Sequence, residues 1–425
     1  MKCKTLALFL FLSVGCATRK PSLTPAQEVA KNSPALDNSF LLDLMQHYPG
    51  YFDTLLQQNN QWKIKIIYTR IDRDQNNHPQ FTNYYFNLDP RQYFYPASTV
   101  KMPTAVLSLQ KLSELNIPGL DKNTTMITDA DYPGQTAVYN DPTTADGRPT
   151  VAQYIRKIFL VSDNDAFNRL YEFLGQEYIN NNLHRMGYDS VQIIHHLNIS
   201  LSEEQNRRSN PVRFYDTAAH LLYQQPMQRS MLTYFKRNDL LGNGYYSASQ
   251  LVNQPFDFSK KNRISLVDLH SILESILFPE SIPSRQRFHL KPEDYSFLYR
   301  YMSMKPAESD YPAYDTIPDA YSKLLFYGGK GSMDPDIRIF NKEGDAYGFL
   351  TDVSYFVDFR SKVEFFLSAT IACNSDGIFN DDHYDYDTVG YPFLQNLGRV
   401  VYQYELTRKR KFIPDLSKFK MEYGK

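Results

Sequence analysis

Apolar and polar positions have strand-type patterns at both ends of the folded part of the chain. Residues 62–71 and 81–88 alternate, are rich in β-branched and aromatic side chains, and are separated by a polar turn, which predicts a β-hairpin. Residues 336–342, 347–359 and 363–372 have similar β-type character near the other end. The pattern therefore predicts two early strands and three late ones.

Between these strands, apolar residues recur at helical spacing. Helices are predicted for residues 98–115, 151 to about 164, 166–174, 178–186, 264–277 and 291–302, with further helices before the first strand and over residues 391–404. Strands on either side of a long helical insert favour one sheet that is built from both chain ends and covered by helices. The predicted fold class is α/β (α+β) with a mainly helical middle. Residues 191–262 have the least clear pattern, and their short aromatic runs predict small hairpins.

Composition narrows the possible functions. The 425 residues carry a net charge of −1, and no basic run with interleaved aromatic residues is present, which argues against a nucleic-acid partner. With 33 Tyr and 28 Phe, a large core can form. We predict one elaborated domain over residues 39–425.

The first residues have the pattern of an export signal. Lys2 and Lys4 precede a short apolar run, residues 5–14, which is too short to span a bilayer. The sequence Leu12-Ser13-Val14-Gly15-Cys16 resembles a bacterial lipoprotein signal, in which the cysteine becomes the lipidated N-terminus. The alternative is an ordinary cleaved signal peptide. We expect a signal at residues 1–16 and a location in the bacterial periplasm or cell envelope.

The cysteines agree with this interpretation. Cys3 would leave with the signal and Cys16 would carry the lipid, so Cys373 stands alone and no intramolecular disulfide can form. Cys373 follows an apolar strand and is expected in the core. Residues 17–38 are polar with scattered prolines and predict a tether, so that the membrane is contacted only through the lipid.

The first candidate for chemistry is Pro96-Ala97-Ser98-Thr99-Val100-Lys101-Met102-Pro103. Positions i and i+3 share a helix face, so the Lys101 amine can reach the Ser98 hydroxyl near the helix N-terminus. A neighbouring base and the N-terminal amides together can make an alcohol nucleophilic. Alone, the motif occurs by chance in many helices.

Two further motifs follow in the chain. Ser162-Asp163-Asn164 joins two predicted helices, where it is also a good capping sequence. Lys342-Glu343-Gly344 lies at the end of one predicted strand, just before another. A competing lysine, Lys330, has no strand directly after it, so Lys342 is preferred.

In this order and context the three motifs resemble those of the penicillin-recognising serine hydrolases, and most closely the class A β-lactamase-like proteins, whose motifs are S-x-x-K, S-D-N and K-T-G. The resemblance covers about residues 40–405. It implies a β-lactamase-like fold with an antiparallel sheet of about five strands. It also implies an acyl-enzyme on a small-molecule or peptidoglycan-like amide or ester, without a cofactor or a metal. We expect a monomer.

The resemblance implies a role for each residue of the first two motifs. Ser98 would be the acylated nucleophile, and Lys101 would accept its proton directly or through water. Ser162 would pass a proton to the leaving nitrogen. Asn164 would hold the substrate amide and orient Lys101.

The third motif would bind substrate. Lys342 would supply positive charge for a substrate carboxylate and would favour deprotonation of Ser162. Backbone N–H groups at Ser98 and near Asp345 would form the oxyanion hole, which places Gly344 and Asp345 among the substrate-binding residues. Two lysines near one serine should also lower each other's pKa.

Glu343 departs from the family pattern, which has a hydroxyl residue at this position. A carboxylate beside Lys342 would neutralise it and repel a substrate carboxylate by about 1–4 kcal/mol. The substrate is therefore expected to lack that carboxylate or to be cationic.

The deacylating glutamate of class A β-lactamases, in a Glu-x-x-Leu-Asn pattern, is also missing. The corresponding run is Ile194-His195-His196-Leu197-Asn198, with isoleucine at the glutamate position. His195 or His196 is a candidate auxiliary base, since histidine titrates in a suitable range; the alternative is a structural pair. Residues 201–262 look expanded and could reshape or cover the cleft.

The first hypothesis is an exported serine hydrolase or acyltransferase that acts through Ser98. The alternatives are a true β-lactamase with a relocated deacylating base, and a non-catalytic envelope lipoprotein that keeps the cleft for binding. The missing glutamate makes efficient β-lactam hydrolysis doubtful.

Overall fold

The computed structural model describes residues 39–424, so the predicted signal, the tether and Cys16 lie outside the described residues. In this part of the chain, helices and strands are numbered in chain order. The helices are α1 (Ser39–Gln46), α2 (Pro49–Gln57), α3 (Asn59–Trp62), α4 (Lys101–Leu115), α5 (Val151–Val161), α6 (Asn164–Arg185), α7 (Glu203–Asn206), α8 (Leu266–Leu277), α9 (Pro292–Ser303), α10 (Leu324–Tyr327) and α11 (Tyr391–Thr407). The strands are β1 (Lys65–Arg73), β2 (Pro79–Phe86), β3 (Thr125–Thr128), β4 (Arg208–Ser209), β5 (Val212–Tyr215), β6 (Leu221–Gln225), β7 (Gln228–Arg229), β8 (Leu240–Leu241), β9 (Gly244–Ser247), β10 (Gln250–Val252), β11 (Phe256–Asp257), β12 (Ile337–Ala346), β13 (Phe349–Asp358), β14 (Val363–Ala372) and β15 (Ile378–Phe379).

A five-stranded antiparallel sheet in the order β12-β13-β14-β1-β2 organises the fold. Lys65 of β1 lies opposite Thr370 of β14, so the sheet joins both chain ends. This confirms the predicted fold class. The predicted β1 was too long at its start, because Trp62 ends the short helix α3.

Helices cover both faces of the sheet. On one face, side chains such as Ile67 and Val353 pack into a core that includes α4, α5, α6 and α8. On the other face, side chains such as Tyr68 and Leu367 pack with α1 and α11. Cys373 is buried in this second core, as expected, and burial raises the pKa of its thiol.

The helical middle follows the sequence prediction closely. Gly175 has φ 71° and ψ 157°, so it interrupts α6 where two separate helices were predicted. Val212–Tyr215 and Leu221–Gln225 form a hairpin, as the aromatic runs predicted. Strand β9 pairs in parallel with β15, which places part of the expanded segment against the C-terminal region. No helix within residues 39–424 is long and apolar enough to cross a membrane.

Strand β12 is longer than predicted. It continues to Ala346, with Gly344 opposite Thr351 of β13, so the Lys342-Glu343-Gly344 motif lies inside the strand and the prediction that it marks a strand end was wrong. Glycine and acidic residues are poor strand formers, and the local pattern therefore ended too early. Pairing with the buried neighbour β13 outweighs that preference. The two-residue turn is Tyr347-Gly348, both with positive φ, as in tight hairpins.

Candidate active site

Ser98 lies in a 3₁₀ turn, Ala97–Val100, that leads directly into α4. Ala97 has φ 46°, a left-handed conformation that non-glycine residues seldom adopt outside constrained sites. The turn leaves Ser98 half-buried in the lining of a cleft. Pro103 falls in the first turn of α4, where its missing N–H is tolerated.

Lys101 connects the first two motifs. Its side chain is fully buried, and Nζ lies 2.8 Å from Ser98 Oγ and 2.7 Å from Asn164 Oδ1. Nζ also donates to the backbone carbonyl of Ser162 and lies 3.3 Å from the Ser162 hydroxyl. The structure therefore brings the serine and lysine of the first motif together with the serine and asparagine of the second.

Burial, followed by the nearby charge of Lys342, holds the pKa of Lys101 well below the usual lysine value. A neutral amine has two N–H groups and one lone pair. The two N–H groups fit the Ser162 carbonyl and the Asn164 amide oxygen, which only accept hydrogen bonds. The lone pair then faces the Ser98 hydroxyl, which is the geometry a general base needs.

Ser162-Asp163-Asn164 has both structural and site contacts. Ser162 ends α5 in a left-handed conformation, with φ 56°, and Asp163 caps α6 by accepting a hydrogen bond from the Ala166 N–H at 2.8 Å. The same turn directs the Ser162 hydroxyl and the Asn164 amide towards Lys101. The capping interpretation therefore holds for Asp163, while its two neighbours belong to the site.

Lys342 reaches the same serine from the sheet. Its fully buried Nζ donates to Ser162 Oγ at 2.8 Å. Lys330, the competing lysine, is exposed and pairs with Asp387 at 2.9 Å. The preference for Lys342 thus agrees with the geometry.

Gly344 sets how closely β12 approaches the nucleophile. A Cβ atom at this position would lie 2.7 Å from the Ser98 backbone nitrogen and 2.9 Å from that of Thr99, closer than real Cβ contacts. Any larger residue would separate the strand from the serine. The close approach of Ser98 and Asp345 in the predicted oxyanion-hole region therefore requires a residue without a side chain at position 344.

Glu343 folds back onto Lys342. Its Oε1 accepts a hydrogen bond from Lys342 Nζ at 2.8 Å, and only 8% of its side chain is exposed. Burial alone would raise the pKa of Glu343, but the ion pair with Lys342 outweighs it and holds that pKa below the usual value. The carboxylate thus forms part of the site.

A cleft of about 870 Å³ lies over these residues. Its described lining includes Ser98, Ser162 and Asn164, together with Asp345 near the end of β12. Lys261, from the expanded segment, forms part of the wall and lies 5.5 Å from the centre of the Tyr347 ring. The sequence does not single out Lys261 or Tyr347 as cleft residues. Aromatic residues are numerous in this chain, and only the tertiary structure decides which of them line the cleft.

The two histidines occupy different environments. His196 is buried, with Nδ1 2.8 Å from Asn206 Oδ1 and Nε2 in contact with the Glu172 carboxylate. Its two ring nitrogens are therefore occupied away from Ser98. The sequence could not reveal this pair, because Glu172 lies in the middle of α6.

His195 lines the cleft and stacks on Tyr95, with ring centres 6.3 Å apart. Its Nε2 is buried without a hydrogen-bond partner among the described residues. Burial lowers the pKa of His195 to about 3, so the ring is neutral near pH 7 and accepts protons poorly. Its assignment as an auxiliary base remains a prediction. In residues 39–424, no three His, Cys, Asp or Glu side chains are grouped to hold a metal ion.

The chain is similar to known proteins in sequence and in fold. A family model described as the beta-lactamase enzyme family matches residues 51–404. Similar solved structures include beta-lactamases from Burkholderia ambifaria (13% identity, TM-score 0.45, covering 83% of this chain and 97% of that one) and Burkholderia phymatum (12%, 0.46, 85% and 98%). A mutant of PBP-A, as its acyl-enzyme complex with penicillin G, is also similar (14%, 0.45, 86% and 96%). A search of the curated proteins found no match.

Replacing Ser98 with alanine is expected to leave the fold intact. The half-buried hydroxyl contributes one hydrogen bond, and Lys101 keeps its bonds to Ser162 and Asn164, so the free energy of unfolding should change by about 1 kcal/mol or less. Thermal and urea denaturation measure this. The matched control is Thr99→Ala, which removes a buried methyl and a hydroxyl bonded to the Pro96 carbonyl and should destabilise more. A larger loss for Ser98→Ala would contradict its assignment to chemistry.

Replacing His196 with alanine is expected to lower the free energy of unfolding by about 3–5 kcal/mol, because the buried Glu172 carboxylate loses its side-chain partner and keeps, among the described residues, only the Asn210 backbone N–H. Urea denaturation measures the loss. The His195→Ala variant, which removes a ring without a side-chain ion pair, should show a smaller decrease in the free energy of unfolding. Small and equal losses in both variants would show that the His196–Glu172 pair is not structural.

Proposed function

The chain belongs to the beta-lactamase enzyme family and is a β-lactamase-like serine hydrolase, and we propose that it forms an acyl-enzyme on Ser98 with an amide or ester substrate. We further propose that it works in the bacterial periplasm or cell envelope. Support for that location comes from the signal-like pattern at residues 1–16.

The observation that carries the proposal is the environment of Lys101. Its amine lies 2.8 Å from the Ser98 hydroxyl and is buried beside a second lysine, which favours its neutral form at the position of a base. A descendant that kept the cleft for binding alone would have no need of such a costly buried lysine.

In the proposed acylation, Ser98 Oγ attacks the substrate carbonyl carbon while its proton moves to Lys101 Nζ. The carbonyl oxygen becomes an oxyanion beside the backbone N–H of Ser98. When the carbon–nitrogen or carbon–oxygen bond breaks, the leaving atom takes a proton from the Ser162 hydroxyl. Lys101, 3.3 Å away, returns a proton to Ser162, so that protons and charge balance.

Release of the acyl group is proposed to be slow. Ile194, at the position of the family's deacylating glutamate, is buried and cannot activate water. His195, with its strongly lowered pKa, would be a weak base. The acyl group would then persist on Ser98 or pass to an acceptor other than water.

Intact-protein mass spectrometry tests this proposal. The protein is incubated with a penicillin and, separately, with a small neutral activated ester, and adducts are followed over time with Ser98→Ala as the control. We expect a lasting adduct on Ser98 from the ester. Fast turnover of penicillin without accumulation would instead favour a true β-lactamase. Folded protein that forms no adduct with either reagent would favour a binding role.

The acylation rate is also expected to depend on the protonation of Lys101. Because burial and the nearby charge of Lys342 lower its pKa, the neutral amine is available at lower pH than for an ordinary lysine, and the rate should fall as the pH decreases through that lowered value. Stopped-flow acylation by a neutral ester from about pH 5 to about pH 10 measures the profile. The Lys101→Met variant should be acylated slowly, and its acylation rate should no longer depend on pH in this way. A rate that keeps rising up to about pH 10 without levelling off, as a base with the ordinary lysine pKa of about 10.4 would give, would contradict the assignment.

A further inference from the structure

Lys342 has no N–H group left for a substrate. An ammonium group has three donors. Its Nζ donates to Ser162 Oγ at 2.8 Å, to the Glu343 backbone carbonyl at 2.9 Å and to Glu343 Oε1 at 2.8 Å. Since Lys342 is fully buried, neither solvent nor a ligand can contact its ammonium group directly. A substrate carboxylate would have to displace Glu343 from a buried ion pair.

The open part of the cleft carries negative charge. The carboxylates in its described lining belong to Asp163, Asp345 and Asp382, and the last two are exposed. Lys261 is the lysine in that lining. Negative side chains therefore outnumber positive ones around the reacting serine.

Tyrosine rings surround the same region. The described lining includes Tyr321, which is 44% exposed, together with Tyr347, Tyr384 and Tyr386. The hydroxyl of Tyr386 accepts a hydrogen bond at 2.9 Å from the Gly348 N–H, which fixes this ring near the end of β12. Carboxylates combined with aromatic faces attract ammonium groups, and quaternary ammonium groups above all.

We propose that Glu343 is a specificity-determining residue that acts as a built-in counter-ion to Lys342, so that the cleft selects acyl donors carrying a cationic group and rejects those carrying a carboxylate. This inference rests on the proposed acylation of Ser98 and names the substrate class of that site. Asp345, one residue beyond Gly344 on the strand that contacts Ser98, supplies the exposed negative charge for the cation.

Matched thioesters test the charge preference. Phenylacetyl thioesters of thiocholine, 3,3-dimethylbutanethiol and 3-mercaptopropionate carry a cationic, a neutral and an anionic leaving group of similar size. In a second set of thioesters, the cationic, neutral or anionic group stands on the acyl chain and the leaving thiol is the same throughout. We expect acylation to be at least about tenfold faster for the cation than for the anion in one of the sets. The preference should weaken between about 0.05 and 0.5 M salt, because exposed charges are screened.

Variants separate the contributions of the two carboxylates. Glu343→Thr frees one N–H of Lys342 and should raise the acylation rate of the anionic thioester relative to the neutral one by about tenfold. Asp345→Asn, an exposed and isosteric change, should lower the advantage of the cation over the neutral thioester. Asp131→Asn, an exposed aspartate outside the cleft lining, is the control and should change neither ratio. Circular dichroism confirms that each variant is folded.

The outcomes distinguish the two proposals. Equal rates for all three charges, or faster acylation by the anion, with Ser98 acylated, would overturn the specificity proposal and leave the proposed function intact. No acylation of Ser98 by any thioester would overturn the proposed function. In that case the charge preference is measured by equilibrium binding of thiocholine and 3-mercaptopropionate to the full protein, and equal affinities would overturn the specificity proposal as well. If the folded Glu343→Thr variant is acylated by the anionic thioester no faster, relative to the neutral one, than the unchanged protein, Glu343 is not the cause of the charge preference.

Discussion

Two lysine side chains, Lys101 and Lys342, are fully buried on either side of Ser162, and the rest of the site depends on how these amines are accommodated. Removing an ammonium group from water costs several kcal/mol unless it is paired or loses its proton. The chain uses both solutions. Lys342 is paired with Glu343, while Lys101 lies among uncharged oxygens and has a strongly lowered pKa. One amine can then act as a base while the other keeps a counter-ion.

Much of this arrangement could be predicted because it depends on local spacing. Serine and lysine three residues apart share a helix face whatever surrounds them, so the contact between Ser98 and Lys101 follows from the chain alone. The sheet could be anticipated because strands with strong β-type patterns stand at both ends of a helical insert. The interruption of α6 at Gly175 could also be predicted, since glycine commonly ends a helix.

The remaining features depend on tertiary partners that no local pattern shows. The end of β12 was missed because its pairing with β13 outweighs the weak strand preference of Gly344. The His196–Glu172 pair joins a loop to the middle of a helix, and neither residue has a spacing that points to the other. The direction of the Glu343 side chain was equally hidden: alternation would direct it to the face opposite Lys342, yet a long side chain can turn back to its neighbour.

The pairing of residues 65 and 370 in the central sheet has a consequence for biogenesis. The nucleophile is synthesised early, whereas its partner lysine on β12 and the strand that closes the sheet come from the last quarter of the chain. Contacts between such distant segments form slowly, because a long loop must close first. A nascent or truncated chain therefore contains Ser98 and Lys101 without Lys342 and without the strands that complete the sheet. The complete acylation site is thus a property of the finished molecule, which protects the reactive group from premature chemistry during synthesis.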